Sequence, residues 1–248
     1  YRRQRQMCIR DRYCKLAAET VANIAARGKV PILVGGTGLF IDSFIDHIQF
    51  AHVQTNPDLR RELLAKDGTE LYRTLQQVDP TAAAEIHPNN KNRVVRALEL
   101  YYAGITKTAQ NAASRREDSP YEALYFVLHY RDRQVLYDRI NARVDAMLAA
   151  GLVEEARQAY AACGPTARQA IGHKELLPYL EGSEPLETAV ERLKQETRRY
   201  AKRQITWFKR RQGTVVLEPD TMDTERLIAA ATAQTEDFLY GKDKGKRA

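Results

Sequence analysis

The 248-residue chain predicts an α/β fold that carries an all-helical insert, and three features of the sequence point to it. A continuous apolar run, KVPILV at 29–34, feeds the turn Gly35-Gly36-Thr37-Gly38 and then a new helical pattern, as a strand-turn-helix unit does. Residues 52–118 hold helix-like periods with no convincing strand. Residues 121–130 then alternate as a strand returning to the sheet would, so the helical stretch interrupts one core.

Residues 1–15 have no amphipathic period and read as a non-native leader, with a genuine basic arm as the alternative. The spacing of Ala18, Val21, Ala22 and Ala25 predicts a helix over 16–27 that ends at Gly28. The run at 29–34 predicts a strand buried on both faces, which puts the Gly-rich turn at the carboxyl end of a strand, where ligands of open α/β sheets collect. Glycine lets backbone approach an oxyanion closely, and the helix that follows offers unpaired N–H groups. GGTG alone is equally compatible with a tight turn that holds no ligand.

The first part of the core spans 16–51 and the insert 52–118, with helices predicted at 58–66, 69–78, 81–86 and 92–103 and a polar linker at 111–120. The core resumes over 119–241. It holds helices at 132–148 and 152–162 separated by Gly151 as a C-cap, an amphipathic helix within 184–211, a strand at 214–217 and a last helix at 223–240. A basic tail, 242–248, follows.

With 44% apolar and 29% charged residues the chain is of the folded, globular type. Its three cysteines, Cys8, Cys14 and Cys163, have no metal-ligand spacing and indicate a reducing compartment. The longest apolar run is far short of the ~20 residues that cross a bilayer, so no membrane span and a cytoplasmic location are expected. The net charge of +7 is concentrated at the ends: residues 1–15 carry +5 and the tail +3, which leaves the rest at −1. An anionic partner therefore has to be argued from local clusters.

The richest cluster lies between 191 and 211, with nine bases against two acids. At ~100° per residue, Arg192, Arg199, Arg203 and Arg210 fall on one line opposite Leu186, Val190, Leu193, Tyr200, Ala201 and Phe208. A solvated face usually mixes signs, so a single-sign stripe favours phosphate contact. In the insert, Lys91, Arg93 and Arg96 flank a seam of Val94, Ala97, Leu98 and Tyr101. His173 taken alone is a structural or surface histidine, and Tyr101, Tyr102, Tyr160 and Tyr179 sit at helical positions that packing explains.

Five ordered blocks carry a resemblance: PILVGGTGLF (31–40), DPTAAAEIHPNNKNRVVRALELY (79–101), RINARVDAMLAAGLVEEA (139–156), RQAIGHKELLPYLEG (168–182) and TRRYAKRQITWFKR (197–210). Together they resemble the tRNA dimethylallyltransferases, in their bacterial form, over nearly everything from about residue 16 to 240. The resemblance implies a P-loop-type parallel sheet core flanked by helices, with the insert gripping the anticodon stem-loop of tRNA. It implies transfer of a dimethylallyl group from dimethylallyl diphosphate to N6 of adenosine 37 in tRNAs that read codons beginning with U, with Mg²⁺ offsetting the leaving diphosphate and the protein acting as a monomer.

Site residues follow from the same likeness. Thr37 matches a threonine placed near the reacting centre, and Gly35, Gly36 and Gly38 shape its turn. Asn92, Arg93 and Arg96 match one tRNA-contacting segment, and Gln169, Gly172, His173 and Lys174 a second. Lys202, Arg203, Gln204, Thr206, Trp207 and Lys209 match a third, with Arg60 a weaker position. The chain has Phe40 and His173 where the family often has tyrosine. Family members open with a phosphate loop of the type GPTASGKT and a segment that holds the aspartate assigned as general base. No G-x-x-x-x-G-K-[ST] occurs here, so the expectation is a truncated chain without its first core strand, phosphate loop, base and Mg²⁺ anchor, and with little transferase activity of its own. Two alternatives are a tRNA-binding fragment without catalysis and an adenylate isopentenyltransferase acting on free nucleotide; the insert and basic stripe disfavour the latter. A nucleotide kinase is weakened by the missing loop.

Overall fold

The computed structural model describes residues 9–48, 56–114 and 119–244. Contacts divide the chain into two units, 1–122 and 123–248. Residues 1–8, 115–118 and 245–248, which include much of the expected leader, the middle of the expected linker and most of the basic tail, lie outside the described residues.

In the first unit α1 (Ile9–Ala26) packs on α2 (Gly38–Ile45), with Tyr13 stacked on Phe40 at 5.2 Å between ring centroids. Helix α1 thus begins at Ile9, inside the segment read as leader, rather than at residue 16. The stretch before α2 departs further from expectation. Residues 29–35 have no regular structure, and Ile32 and Val34 are 82% and 88% exposed. A parallel strand requires neighbours on which to place its N–H and C=O groups, and among the described residues none pairs with this run.

Short helices follow at α3 (Pro57–Ala65), α4 (Gly68–Val78), α5 (Pro80–Glu85), α6 (Lys91–Tyr102) and α7 (Lys107–Ser114). Each of the first four starts where the sequence supplies a side-chain cap for unpaired N–H groups: Asn56, Asp67, Asp79 and Asn90, with Pro57 and Pro80 in the first turn of α3 and α5. Their apolar faces close on a core of Leu63, Leu71, Leu75, Ala82, Ala83, Ile86, Val94, Val95, Ala97 and Leu98. Tyr101, assigned to that seam by periodicity, is exposed beside Tyr102 at the end of α6, so packing explains neither ring. Helix α7 occupies the start of the expected linker. It is tied back by Asp79, whose carboxylate accepts from the Thr108 amide at 2.9 Å and hydroxyl at 2.5 Å as well as from the Ala82 amide at 3.1 Å.

The second unit contains the one sheet found among the described residues: β1 (Phe126–Leu128) pairs in parallel with β2 (Val215–Leu217), Phe126 opposite Val215. A parallel pair needs a crossover, supplied by α8 (Arg133–Ala149), α9 (Leu152–Ala162), α10 (Pro165–Arg168), α11 (His173–Leu180) and α12 (Leu186–Phe208). Helix α13 (Thr224–Lys244) ends the unit. Gly151 stands between α8 and α9 at φ +98°, the left-handed turn that glycine adopts without a Cβ penalty. Val144, Leu152, Ala156, Leu176, Ala189 and Leu193 form the core, drawn from α8, α9, α11 and α12.

Asp79 provides the test of this fold. Burial would raise its pKa, but the bonds from Thr108 and Ala82 outweigh it and hold the carboxyl below its ordinary value. A depressed carboxyl contributes stability above its unfolded pKa and loses it as pH falls through the folded value. Asp79→Ala is therefore expected to lower unfolding free energy by about 2 kcal/mol at neutral pH. The gap between variant and parent should shrink below pH ~4 in urea titrations followed by helical circular dichroism.

Candidate functional site

Four groups of the sequence-predicted residues can be built from the backbone outward, two in each unit. Thr37 is the residue before α2, at φ −90° and ψ 88°; its carbonyl accepts from the Phe40 and Ile41 amides at 2.9 and 3.2 Å. Its hydroxyl is exposed and makes no cap bond, and no histidine or carboxylate among the described residues hydrogen-bonds to it. Gly38 is buried, Gly36 partly so and Gly35 exposed. The hydroxyl at this helix N-terminus is thus open to a ligand. Phe40 lies against Tyr13, where an apolar ring suffices.

In the insert the cations separate into two kinds. Lys91 Nζ donates to the carbonyls of Leu64 at 2.7 Å and Lys66 at 2.6 Å, closing the C-terminus of α3, so its charge belongs to the fold. Asn92 and Arg93 are exposed on the first turn of α6. Arg96, and Arg60 from α3, converge on Glu99: both Nη1 atoms reach the same Oε2, at 3.1 and 3.0 Å. The Glu99 side chain is 6% exposed while both arginines remain 42% exposed. Sequence reasoning missed Glu99, which lies three residues after Arg96 and so reads as half of a surface pair. Lys107 has its pKa lowered, first by burial and then by the charge of Arg96, with Arg93 adding to it. The three cations therefore share one positive field.

In the second unit, Gly172 sits at φ +104° between α10 and α11, and its amide donates to the buried Glu175 carboxylate at 2.9 Å. A Cβ there would meet Leu152 Cδ1 at 3.5 Å, but it is the positive φ that requires glycine. His173 is half-buried with Nδ1 2.9 Å from the Ala167 carbonyl and Nε2 3.2 Å from Glu155. Both partners accept, so the ring donates from each nitrogen when it is charged. Lys174 pairs with Glu175 at 3.3 Å, and Gln169 is exposed.

The basic stripe of α12 is not uniform. Arg192 pairs with Glu184, Lys194 with Asp145 at 2.7 Å, and Arg199 with Glu196. Arg198 donates to Asn141 at 2.6 Å and lies over the Tyr137 ring. These bonds correct the reading of one free stripe: neighbouring α8 and the turn before α12 supply the acids and amides that a helical wheel of α12 alone does not show. Beyond Arg199 the pattern changes. Lys202, Arg203, Lys209 and Arg210 are exposed and form no ion pair among the described residues; Arg203 lies over the Tyr200 ring. Thr206 and Trp207 share that exposed side, the indole 38% exposed, while Gln204 is half-buried.

Among the described residues no three His, Cys, Asp or Glu side chains gather as metal ligands. No helix among them is long and apolar enough to cross a membrane. Cys14 and Cys163 are unbridged.

A family model described as IPP transferase matches residues 4–211. A tRNA dimethylallyltransferase of Exiguobacterium sibiricum is 49% identical over 204 residues, which cover 80% of this chain and 64% of that protein. One from Halalkalibacterium halodurans is 39% identical over 92% of this chain and 73% of its own length. Against the first of these the chain spans less than two thirds of the relative's length. Among solved structures, the full-length tRNA isopentenylpyrophosphate transferase of Bacillus halodurans aligns with TM-score 0.63 and 35% identity, over 95% of this chain and 75% of that one. A eukaryotic dimethylallyltransferase acting on tRNA aligns with TM-score 0.71 and 28% identity, over 94% and 63%.

The division of the insert cations can be tested by thermal and urea unfolding. Lys91→Met is expected to cost about 1 kcal/mol through the two carbonyls it leaves unpaired, whereas exposed Arg93→Met should stay within about 0.5 kcal/mol of the parent.

Proposed function

The chain belongs to the IPP transferase family, and on that premise we propose that it serves the transfer of a dimethylallyl group from dimethylallyl diphosphate to N6 of adenosine 37 in tRNAs that read codons beginning with U. In that reaction the N6 lone pair forms a bond to the allylic carbon. The bond from that carbon to the diphosphate oxygen breaks, the diphosphate leaves with the electron pair, and N6 gives up a proton. The amine is a weak nucleophile because its lone pair conjugates with the purine, so orientation and leaving-group stabilisation carry much of the barrier. Mg²⁺ would offset the charge of the departing diphosphate.

The observation that carries this reading is the acid-free side of α12, where Lys202, Arg203, Lys209 and Arg210 flank an exposed indole. Cations without ion-pair partners among the described residues and an aromatic ring on which a base can stack are what a single-stranded loop requires. The loop at 169–174 and the cluster of Arg60, Arg93 and Arg96 add two further contacts to the RNA in this proposal. Thr37 offers an uncommitted hydroxyl for the substrate amine. The order of apolar run, GGTG turn and α2 supports a P-loop-type core with 52–118 as its insert, of which α3 to α7 are the helices. A cytoplasmic monomer is the form proposed.

A second reading, an RNA-binding chain without turnover, is favoured by one specific feature: no histidine or carboxylate among the described residues hydrogen-bonds to the Thr37 hydroxyl. Titrating a labelled anticodon stem-loop from about 50 to 200 mM salt is expected to show steep weakening, and alanine at Lys202, Arg203, Lys209 and Arg210 to flatten the log–log slope by about 3. Salt-insensitive or absent binding would overturn both readings. Where turnover is detected, Thr37→Ala is expected to lower it at least about tenfold with little change in tRNA affinity. Prenylated tRNA from the present chain would remove the second reading, and prenylated free AMP would point instead to an adenylate isopentenyltransferase.

A further inference from the structure

Glu99 is an anomaly for an RNA-facing surface. It places a negative charge where the proposed ligand is a polyanion, and plain electrostatics would select against it. It is also over-supplied with partners. One buried carboxylate oxygen takes a donor from each of two guanidinium groups, from different helices, and both groups stay 42% exposed. Each arginine uses one of its five N–H donors on Glu99, which leaves the rest for solvent or a ligand. Because both Nη1 atoms sit on a single oxygen, the two forks lie within about 6 Å of each other, a separation that one phosphate can bridge at ordinary hydrogen-bond lengths. Without a shared anchor, two like charges at that distance would separate.

We propose that Glu99 is a positioning residue that holds Arg60 and Arg96 together as a two-forked clamp for one phosphodiester of the RNA backbone. This rests on the RNA-binding reading above. Glu99 does not touch the RNA; it fixes the donors in place before the phosphate arrives, so that no side-chain ordering is needed at binding.

The test exploits the sign of the effect. The affinity of this chain for the labelled anticodon stem-loop is measured for the parent, Glu99→Gln, Arg60→Ala with Arg96→Ala, and the triple variant, each checked for an unchanged thermal transition. Removing a carboxylate should tighten binding to a polyanion if charge alone matters. Positioning predicts the reverse, a loss of about tenfold for Glu99→Gln that disappears in the background lacking both arginines. Unchanged or tighter binding by Glu99→Gln overturns the proposal while parent binding leaves the RNA reading standing; absence of parent binding overturns both. If Glu99→Gln loses its thermal transition, Arg60→Lys and Arg96→Lys decide, since they keep the charge and lose the fork. At least about threefold weaker binding for each supports the clamp, and parental affinity overturns it.

Discussion

Six of the twelve residues of α6 are buried, and one of the six is a carboxylate. An ion so placed costs several kcal/mol unless it is paired with good geometry, so α6 can occupy the middle of the first unit only if cations come to Glu99. Arg60 comes from α3 and Arg96 from one turn earlier on α6 itself. Near the other end of α6, Lys91 reaches the last carbonyls of α3. The two helices are therefore joined near both ends by polar bonds and between them by Leu63, Val94 and their neighbours. Apolar burial sets how closely the helices pack, while the polar bonds fix which residues face each other.

The second unit follows the same rule with a different result. Helix α12 buries Ala189 and Leu193, and its early cations are taken up by Glu184, Asp145, Asn141 and Glu196. Once past Arg199 the helix makes no further ion pairs among the described residues, and its outward side is left to Lys202, Arg203, Lys209 and Arg210. Uncompensated positive charge destabilises a fold by self-repulsion, modestly at an exposed surface and more so at low salt. It persists where binding an anion gives back more than the repulsion costs.

Much of the fold was legible because it is local. The helices of the insert were legible in their apolar spacing and the break between α8 and α9 in Gly151, while the caps Asn56, Asp67, Asp79 and Asn90 that set the helix starts are seen in the structure. Other features were not legible, α7 in the expected linker among them. The run at 29–34 has the composition of a buried strand but forms none, because strand formation depends on pairing partners that a sequence pattern cannot locate. The division of the α12 stripe depends on Asp145 and Asn141, which are about fifty residues away in sequence. Glu99 was overlooked for a related reason: as an i+3 neighbour of Arg96 it looks like a surface pair, and only the arrival of Arg60 beside it shows that the acid is buried.

Apart from the first fifteen residues and the last seven, the chain sums to −1, so it exerts no general pull on an RNA. Attraction must come from clusters and act within a Debye length of about 8 Å at physiological salt. At that range geometry decides more than total charge does, because a cation engaged with an internal carboxylate offers little field beyond it. Of the nine bases between 191 and 211, Arg192, Lys194, Arg198 and Arg199 are engaged by acids or an amide and Arg211 lies over the Tyr125 ring, while Lys202, Arg203, Lys209 and Arg210 are exposed and form no ion pair among the described residues. A phosphate chain approaching this unit would thus meet a short positive edge bordered by neutralised surface. That contrast in field, which a uniformly basic helix would lack, is what can select one register of the backbone over its neighbours.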